Sequence, residues 1–395
     1  MSGTKGASAP ESFASRVLLV CFAMVQITLA AGLIVGWPGI AGSMLVEPLA
    51  TGGAGLSLDQ TTQLYSLAAA VNYVAPLFLG LVLDNFGPRV CSFLANVIVA
   101  TGLAIFSRGS TFVTFAIGIS FVAFGGPSVQ QSLLHIGNIF GERRYFVMGM
   151  VAESITLSFA VFPLLDVAWD RVSPEYGFRL LFASLAALVL CSSIGSLLLW
   201  PDAPYEIFES SESHSTIDDE DKTNLVSETV TKPETDVLKT KSFFEQLTSG
   251  VYIRLCIFFI VTSWWANFYI ATVTTELGDQ QIFDAETQHS LTQWLSFLDA
   301  GAIVAAPLSG YLLESVGFAP TGVITISLGV IQQLCLLFAG SNSLVMILSF
   351  ATYAVYRAFL FPYFFASLSR KMGFRFFGLL SGISFCVSGF TQFSV

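Results

Sequence analysis

The chain has 395 residues, of which 54% are hydrophobic and 11% are charged, whereas a soluble domain carries about 25% charged residues. This composition excludes a soluble globular domain. It predicts a membrane protein with many helical spans, because helices satisfy their own backbone polar groups in lipid. No nucleic-acid partner is expected.

Apolar stretches of about 20 residues, enough to cross a ~30 Å hydrocarbon core, recur along the chain. Six form a first block at residues 17–40, 61–83, 90–107, 112–136, 145–166 and 178–200. Five form a second block at residues 250–273, 290–313, 319–339, 344–367 and 376–395. The sequence therefore predicts an all-α membrane protein of eleven spans, with an N-terminal bundle at 1–200 and a C-terminal bundle at 249–395.

A polar segment separates the two blocks. Residues 201–248 hold twelve acidic residues against four Lys and lack apolar periodicity, which is typical of a disordered linker. This linker supplies most of the net charge of −10, so the charge says little about any ligand.

The basic residues predict the orientation, since short cytoplasmic loops are enriched in Lys and Arg. With the N-terminus in the cytoplasm, thirteen of the 17 basic residues fall on the cytoplasmic side and three fall outside. The acidic linker is then cytoplasmic. We expect a multi-pass protein of the plasma membrane, with a vacuolar or lysosomal membrane as the alternative.

Motifs for cofactors and catalysis are absent from the sequence. The six cysteines show no paired spacing, and no P-loop, zinc motif or dinucleotide fingerprint occurs. We therefore expect no cofactor, no metal and no enzymatic activity.

A ten-residue loop, Gly-Leu-Val-Leu-Asp-Asn-Phe-Gly-Pro-Arg at 80–89, follows the second span and is partly repeated in the second block. A shift of 230 residues places Gly80, Asp84 and Gly87 on Gly310, Glu314 and Gly317. Glycines permit close helix contact and positive φ angles, and a carboxylate is stabilised beside the N-terminus of another helix. The repeat predicts two related halves.

This loop resembles the G-x-x-x-D-x-x-G-x-R signature of the major facilitator superfamily, which joins the second and third spans on the cytoplasmic side. The resemblance implies a major facilitator fold of two pseudo-symmetric six-helix bundles that rock to give alternating access. Because no P-loop is present, gradients would supply the energy. Asp84 would face the start of span eleven near Phe376, and Glu314 would face the start of span five near Tyr145. The implied gating residues are Gly80, Asp84, Gly87, Arg89, Gly310, Glu314, Gly317, Arg143 and Arg144.

A narrower resemblance is to the solute carrier family 43 group, the system-L-like facilitators of large neutral amino acids. The motifs that carry it lie at residues 32–38, 138–144, 162–163, 200–201, 357–361 and 377–382. The resemblance implies sodium-independent facilitated diffusion of neutral amino acids by a monomer in the bilayer. Proton-coupled transport of another small organic solute is the alternative in the same class.

Polar, small and aromatic residues within the spans are candidates for the substrate site, since polar groups are costly in lipid. Arg357, in span ten, can bind a carboxylate bidentately, or can instead be a structural partner of Asp299. A broken helix at Gly32 and Gly36 could offer unpaired amides to a carboxylate. The substrate-binding candidates are Gly32, Gly36, Trp37, Asn72, Tyr73, Gly125, Gly126, Trp265, Asn267 and Arg357. For those other than Arg357, helix packing or a belt of aromatic residues at the membrane interface is the alternative.

Two further acids are candidates for proton coupling. Asp299 falls near the middle of span eight, where it could carry a proton. Glu153 lies eight residues into span five, where support of the gate is the competing role.

The C-terminus departs from the family pattern, because the chain reaches Val395 at span eleven where the superfamily adds a twelfth helix. We expect an incomplete gene model or a truncated product. This leaves open a hypothesis from a different class, a non-transporting membrane sensor or scaffold with residues 201–248 as its signalling segment.

Overall fold

The computed structural model describes residues 6–169, 171–172, 176–208, 238–279 and 283–392. Regular structure in these ranges is helical. The first half of the chain contains α1 (Phe13–Ala30), α2 (Pro38–Ala41), α3 (Leu58–Ser107), α4 (Phe112–Leu133), α5 (Arg144–Glu153), α6 (Ile155–Phe159), α7 (Val161–Trp169) and α8 (Gly177–Leu199). Short 3-10 turns cover Leu33–Gly36, Leu49–Thr51 and Leu134–Arg143.

The second half repeats this layout with fewer helices. It contains α9 (Phe243–Leu247), α10 (Gly250–Asp279), α11 (Ala285–Gly301), α12 (Ala306–Ser315), α13 (Phe318–Ala339), α14 (Ser343–Met372) and α15 (Phe377–Gln392). A 3-10 turn at Ala302–Ala305 joins α11 to α12, so these two helices together form the predicted span eight.

Eight helical segments in the described ranges are long and apolar enough to cross a membrane, and Phe377–Thr391 is a shorter apolar helix. Two of the eight, Leu58–Ser107 and Phe112–Trp169, each hold two predicted spans. Each turns back at a glycine of positive φ, Gly87 at 80° and Gly141 at 57°. The all-helical fold predicted from the sequence is confirmed.

The two halves contact each other through glycine faces. Gly80 of α3 packs against the backbone of Gly378 in α15, and Gly310 of α12 packs against the backbone of Phe146 in α5. A Cβ atom at Gly80 or Gly310 would collide with the opposite backbone. These contacts lie at one end of the bundle, which carries residues 80–89 and 310–317 and is called the loop end below.

The disordered linker predicted over 201–248 is too broad at both ends. Residues 201–208 run along the loop end, where Asn138 donates to the Tyr205 carbonyl at 2.8 Å and the Tyr205 side chain is buried. At the other end, Ser242 and Glu245 form a capping box that begins α9. Apolar side chains such as Tyr205 and Leu238 are what hold these ends in place. Residues 209–237 of the predicted linker lie outside the described residues.

Candidate functional site: a cavity between the two halves

A cavity of about 90 Å³ lies between the two halves. The broken end of α1, together with α3, α4, α5 and α6, supplies one wall, and α10, α14 and α15 supply the other. Its lining residues are Ala31, Gly32, Ile34, Val35, Asn72, Tyr73, Pro127, Gln130, Glu153, Ile155, Thr156, Phe159, Phe259, Ser263, Asn267, Arg357, Phe361 and Phe385. A mostly apolar cavity with a few convergent polar groups, at the interface of two halves, has the character of a solute site.

Half of the substrate-binding candidates line this cavity. They are Gly32, Asn72, Tyr73, Asn267 and Arg357, and Glu153 lines the cavity from the first half. Asn267 donates to the Ser263 carbonyl at 2.8 Å within α10, which orients its amide oxygen independently of any ligand.

The remaining substrate-binding candidates pack between helices instead. Trp37 is 2% exposed and donates its indole N–H to the Thr61 carbonyl at 3.1 Å. Gly125 and Gly126 allow α4 to approach the backbones of α3 and of the end of α1, and Gly36 lies against the Phe159 backbone. The Trp265 indole donates to Gln332 of α13 at 3.1 Å. These contacts place all five residues outside the cavity lining.

The predicted break in span one is present, but its amide is not left unpaired. The helix gives way to the 3-10 turn Leu33–Gly36, and the Gly32 N–H donates to the Ser158 hydroxyl at 3.0 Å. The expectation that Gly32 offers a free amide to a carboxylate is therefore wrong, because the Ser158 hydroxyl of α6 already accepts a hydrogen bond from this amide.

Arg357 is the cation of the cavity. Its side chain is buried, its Nη1 donates to Asp299 Oδ2 at 3.4 Å, and its guanidinium lies 4.8 Å from the centre of the Phe159 ring. Asp299 belongs to α11 and contacts Arg357 without lining the cavity. The long contact leaves most of the five guanidinium N–H donors unengaged among the described residues.

Several lining residues were missed by sequence reasoning. Gln130, which donates to the Ala152 carbonyl at 2.6 Å, and Ser263 are polar residues inside apolar spans, a signal that could have found them. The missed phenylalanines, Phe159, Phe259, Phe361 and Phe385, gave no such signal because 37 Phe residues are spread along the chain.

At the loop end, Asp84 binds the N-terminus of α15, which belongs to the opposite half. Its Oδ1 accepts from the Gly378 amide and its Oδ2 from the Leu379 amide, both at 2.8 Å. Both amides belong to the first turn of α15, whose N–H groups have no partner within the helix. The carboxylate therefore fastens the first half to the second.

Glu314 makes the related contact from the second half to the first. Its Oε1 accepts from the Phe146 amide in the first turn of α5 at 2.8 Å. Gly317 has φ of 96°, close to the 80° of Gly87, so the 230-residue repeat predicted from the sequence extends to backbone conformation.

The arginines of the loop end make contacts within their own half or lie beside the Glu314 contact. Arg89 donates to the Trp200 carbonyl at 2.6 Å and pairs with Asp202 at 2.9 Å, so it fixes the segment after α8 rather than the opposite half. Arg144 donates to the Tyr145 hydroxyl at 2.7 Å. Arg143 lines a surface cleft together with Glu314.

The sequence matches the family model of the Major Facilitator Superfamily over residues 16–394. The chain belongs to the major facilitator superfamily. This membership makes it a membrane transporter of a small-molecule substrate.

Two sequence relatives of this major facilitator protein are distant. Protein FMP42 of Saccharomyces cerevisiae is 22% identical over 385 residues, which cover 84% of this chain and 75% of that protein. Cationic amino acid transporter 8 of Plasmodium berghei is 23% identical over 146 residues, which cover 36% of this chain and 28% of that protein.

Solved structures share the fold. The proton:xylose symporter XylE bound to 6-bromo-6-deoxy-D-glucose has a TM-score of 0.65 at 15% identity, covering 96% of this chain and 87% of that chain. The human organic anion transporter MFSD10 has a TM-score of 0.60 at 16% identity, covering 96% of this chain and 92% of that chain. At these identities the likeness establishes the architecture and leaves the substrate open.

Proposed function

We propose that this major facilitator protein transports large neutral amino acids by alternating access, by sodium-independent facilitated diffusion in the plasma membrane. The observation that carries the proposal is the buried Arg357 guanidinium, which faces a cavity between the two halves. The solute carrier family 43 resemblance supplies the substrate class. The match to a segment of cationic amino acid transporter 8 is in keeping with an amino-acid substrate.

Arg357 suits a carboxylate ligand. A guanidinium can donate two parallel hydrogen bonds to a carboxylate, and Arg357 gives Asp299 one contact at 3.4 Å. The Phe159 ring under the guanidinium limits its orientations. Asp299 therefore acts as the positioning residue that compensates the charge when the cavity is empty.

The apolar part of the cavity suits a large hydrocarbon or aromatic side chain. Ile34 and Val35 come from the first half, and Phe259, Phe361 and Phe385 come from the second. Burying apolar surface against such walls favours binding by about 25 cal/mol per Å². Leucine and phenylalanine are the expected substrates. A sugar is disfavoured because it has neither a carboxylate for Arg357 nor an apolar side chain for these walls.

The loop end supplies the gate in this proposal. Asp84 and Glu314 each bind first-turn amides across the interface, so both contacts must break when the halves separate at this end. Gly80 and Gly310 permit the close approach that brings the carboxylates within reach. Arg143 and Arg144 flank the Glu314 contact and support it electrostatically.

The test is uptake by proteoliposomes of purified protein. Radiolabelled leucine and phenylalanine should enter saturably with or without sodium, whereas xylose should not. Removing Arg357 alone would leave the Asp299 carboxylate without its ion-pair partner, so the test uses the double variant Arg357→Gln, Asp299→Asn. The control is Arg108→Gln, which replaces an exposed arginine. If the double variant loses leucine uptake and the control variant keeps it, the proposal is supported. Equal uptake by the wild-type protein and both variants refutes the role of Arg357.

One observation favours the proton-coupled alternative. Asp299 Oδ1 is buried without a hydrogen-bond partner within the described residues. If that alternative holds, uptake follows an imposed pH gradient and is lost in Asp299→Asn. Uptake by Asp299→Asn that is independent of the pH gradient eliminates it.

A further inference from the structure

Glu153 is a buried acid that the ion pair of the cavity does not use. It ends α5 in the first half, lines the cavity and is 1% exposed. Its Oε1 has no hydrogen-bond partner among the residues that the structure describes. A buried carboxylate oxygen without a donor is costly, so this group is poised for a ligand that brings positive charge.

The charges of the cavity are arranged across the interface. Glu153 belongs to the first half, whereas Arg357 and its partner Asp299 belong to the second. Glu153 and Asp299 both act electrostatically on Arg357, so two carboxylates share one guanidinium. Among the described residues, the cavity therefore offers guanidinium donors on the wall of the second half and the unpartnered Oε1 of Glu153 on the wall of the first half.

We propose that Glu153 receives the α-ammonium group of the substrate while Arg357 receives its carboxylate. The proposal rests on the proposed function and deepens it, because it defines the substrate class as α-amino acids with both groups free and charged. A zwitterion engages both walls at once, because its ammonium group donates to Glu153 and its carboxylate accepts from Arg357. An amine leaves the Arg357 donors without a carboxylate, and a carboxylate leaves Glu153 without an ammonium donor.

This arrangement also links binding to the movement of the halves. The ammonium group is held by the first half and the carboxylate by the second, so a bound amino acid bridges them. Rocking that separates Glu153 from Arg357 breaks one of the two contacts. The substrate then stabilises states in which both walls lie close together, as a transporter that alternates through a closed intermediate requires.

The test compares leucine with 2-hydroxy-4-methylpentanoate, which keeps the side chain and the carboxylate and replaces the ammonium group by a hydroxyl. Each compound competes with radiolabelled leucine for uptake by proteoliposomes. The wild-type protein should prefer leucine by at least about tenfold, the value of one charged hydrogen bond. In Glu153→Gln the preference should fall to within about threefold, mainly through weaker leucine binding. The exposed Glu142→Gln, which removes the same charge outside the cavity, should keep the wild-type preference.

The outcomes separate this inference from the proposed function. Absence of leucine uptake by the wild-type protein rejects the proposed function. Leucine uptake with equal competition by the hydroxy acid rejects the role of Glu153 and leaves the function standing. If Glu153→Gln does not fold, the wild-type comparison decides alone. If Glu153→Gln folds, keeps the preference and loses only a dependence on pH, Glu153 carries a proton instead and the inference is overturned.

Discussion

Replacement of Asp84 by Asn should weaken the gate at the loop end. The wild-type carboxylate accepts two first-turn amides of α15, each at 2.8 Å. Asn keeps one acceptor oxygen but turns an NH₂ group toward the other amide, and it loses the negative charge beside the helix N-terminus. The helix-terminus interaction contributes up to about 2 kcal/mol in partly buried geometry, and a hydrogen bond to a charged group about 1.5–3 kcal/mol.

A loss of about 2 kcal/mol lies within both of these ranges, and it corresponds to a ~30-fold change in the ratio of closed to open loop ends. Glu314→Gln should act in the same direction with a smaller effect, because the Glu314 side chain is nearer to solvent and its contact at 2.8 Å is to the Phe146 amide. Asp84→Asn should therefore change the ratio of closed to open loop ends more than Glu314→Gln does.

Distances between spin labels at Phe86 and Ser315, measured by pulsed electron paramagnetic resonance in a cysteine-free background, would report the separation of the halves. Both positions are exposed and lie in corresponding loops of the two halves. Asp84→Asn should add a population at longer distance. The control is Asp59→Asn, an exposed acid in the first turn of the same helix. Unchanged distances in Asp84→Asn would refute the gating role.

The glycines of the loop end give further predictions. Gly80→Ala places a Cβ into the backbone of α15 and should lower the melting temperature and slow transport, whereas Gly250→Ala, whose Cβ meets nothing within 4 Å, should change neither. Gly87→Ala combines a φ of 80° with a collision against the segment after α8, and Gly317→Ala has a φ of 96° in open space. The melting temperature should therefore fall more in Gly87→Ala than in Gly317→Ala, because the Gly317 variant meets only the backbone strain of about 1–3 kcal/mol. Equal falls in melting temperature would contradict the packing of Gly87 against the segment after α8. Arg89→Gln should lower the melting temperature without removing leucine specificity, because its contacts stay within the first half; altered specificity in uptake would argue otherwise.

The loop end could be predicted from the sequence because its geometry is encoded locally. Gly87 and Gly317 take positive φ where the chain turns back. An acid four residues after Gly80 or Gly310 lies about one turn further along the same helix face, beside the glycine that contacts the opposite half. The partners of Asp84 and Glu314 lie in the first turns of α15 and α5, beside the positions near Phe376 and Tyr145 named from the resemblance.

The cavity was harder to predict because its lining depends on the rotation of each helix. In spans that are apolar all around, the sequence does not say which face meets a cavity and which meets another helix. Trp37 and Gly126 accordingly pack between helices, while Phe259 and Phe385 line the cavity. Buried polar residues were better guides, and Arg357 is the clearest of them.

Equilibrium binding of radiolabelled leucine to the purified protein, compared with binding to the Arg357→Gln, Asp299→Asn double variant, tests the central claim most directly. It asks whether an amino acid occupies the cavity between the two halves. The account predicts saturable, sodium-independent binding to the wild-type protein and none to the double variant. Thermal unfolding measurements should show that both proteins are folded. Equal binding to the two proteins would contradict the account, as would failure of the folded wild-type protein to bind leucine.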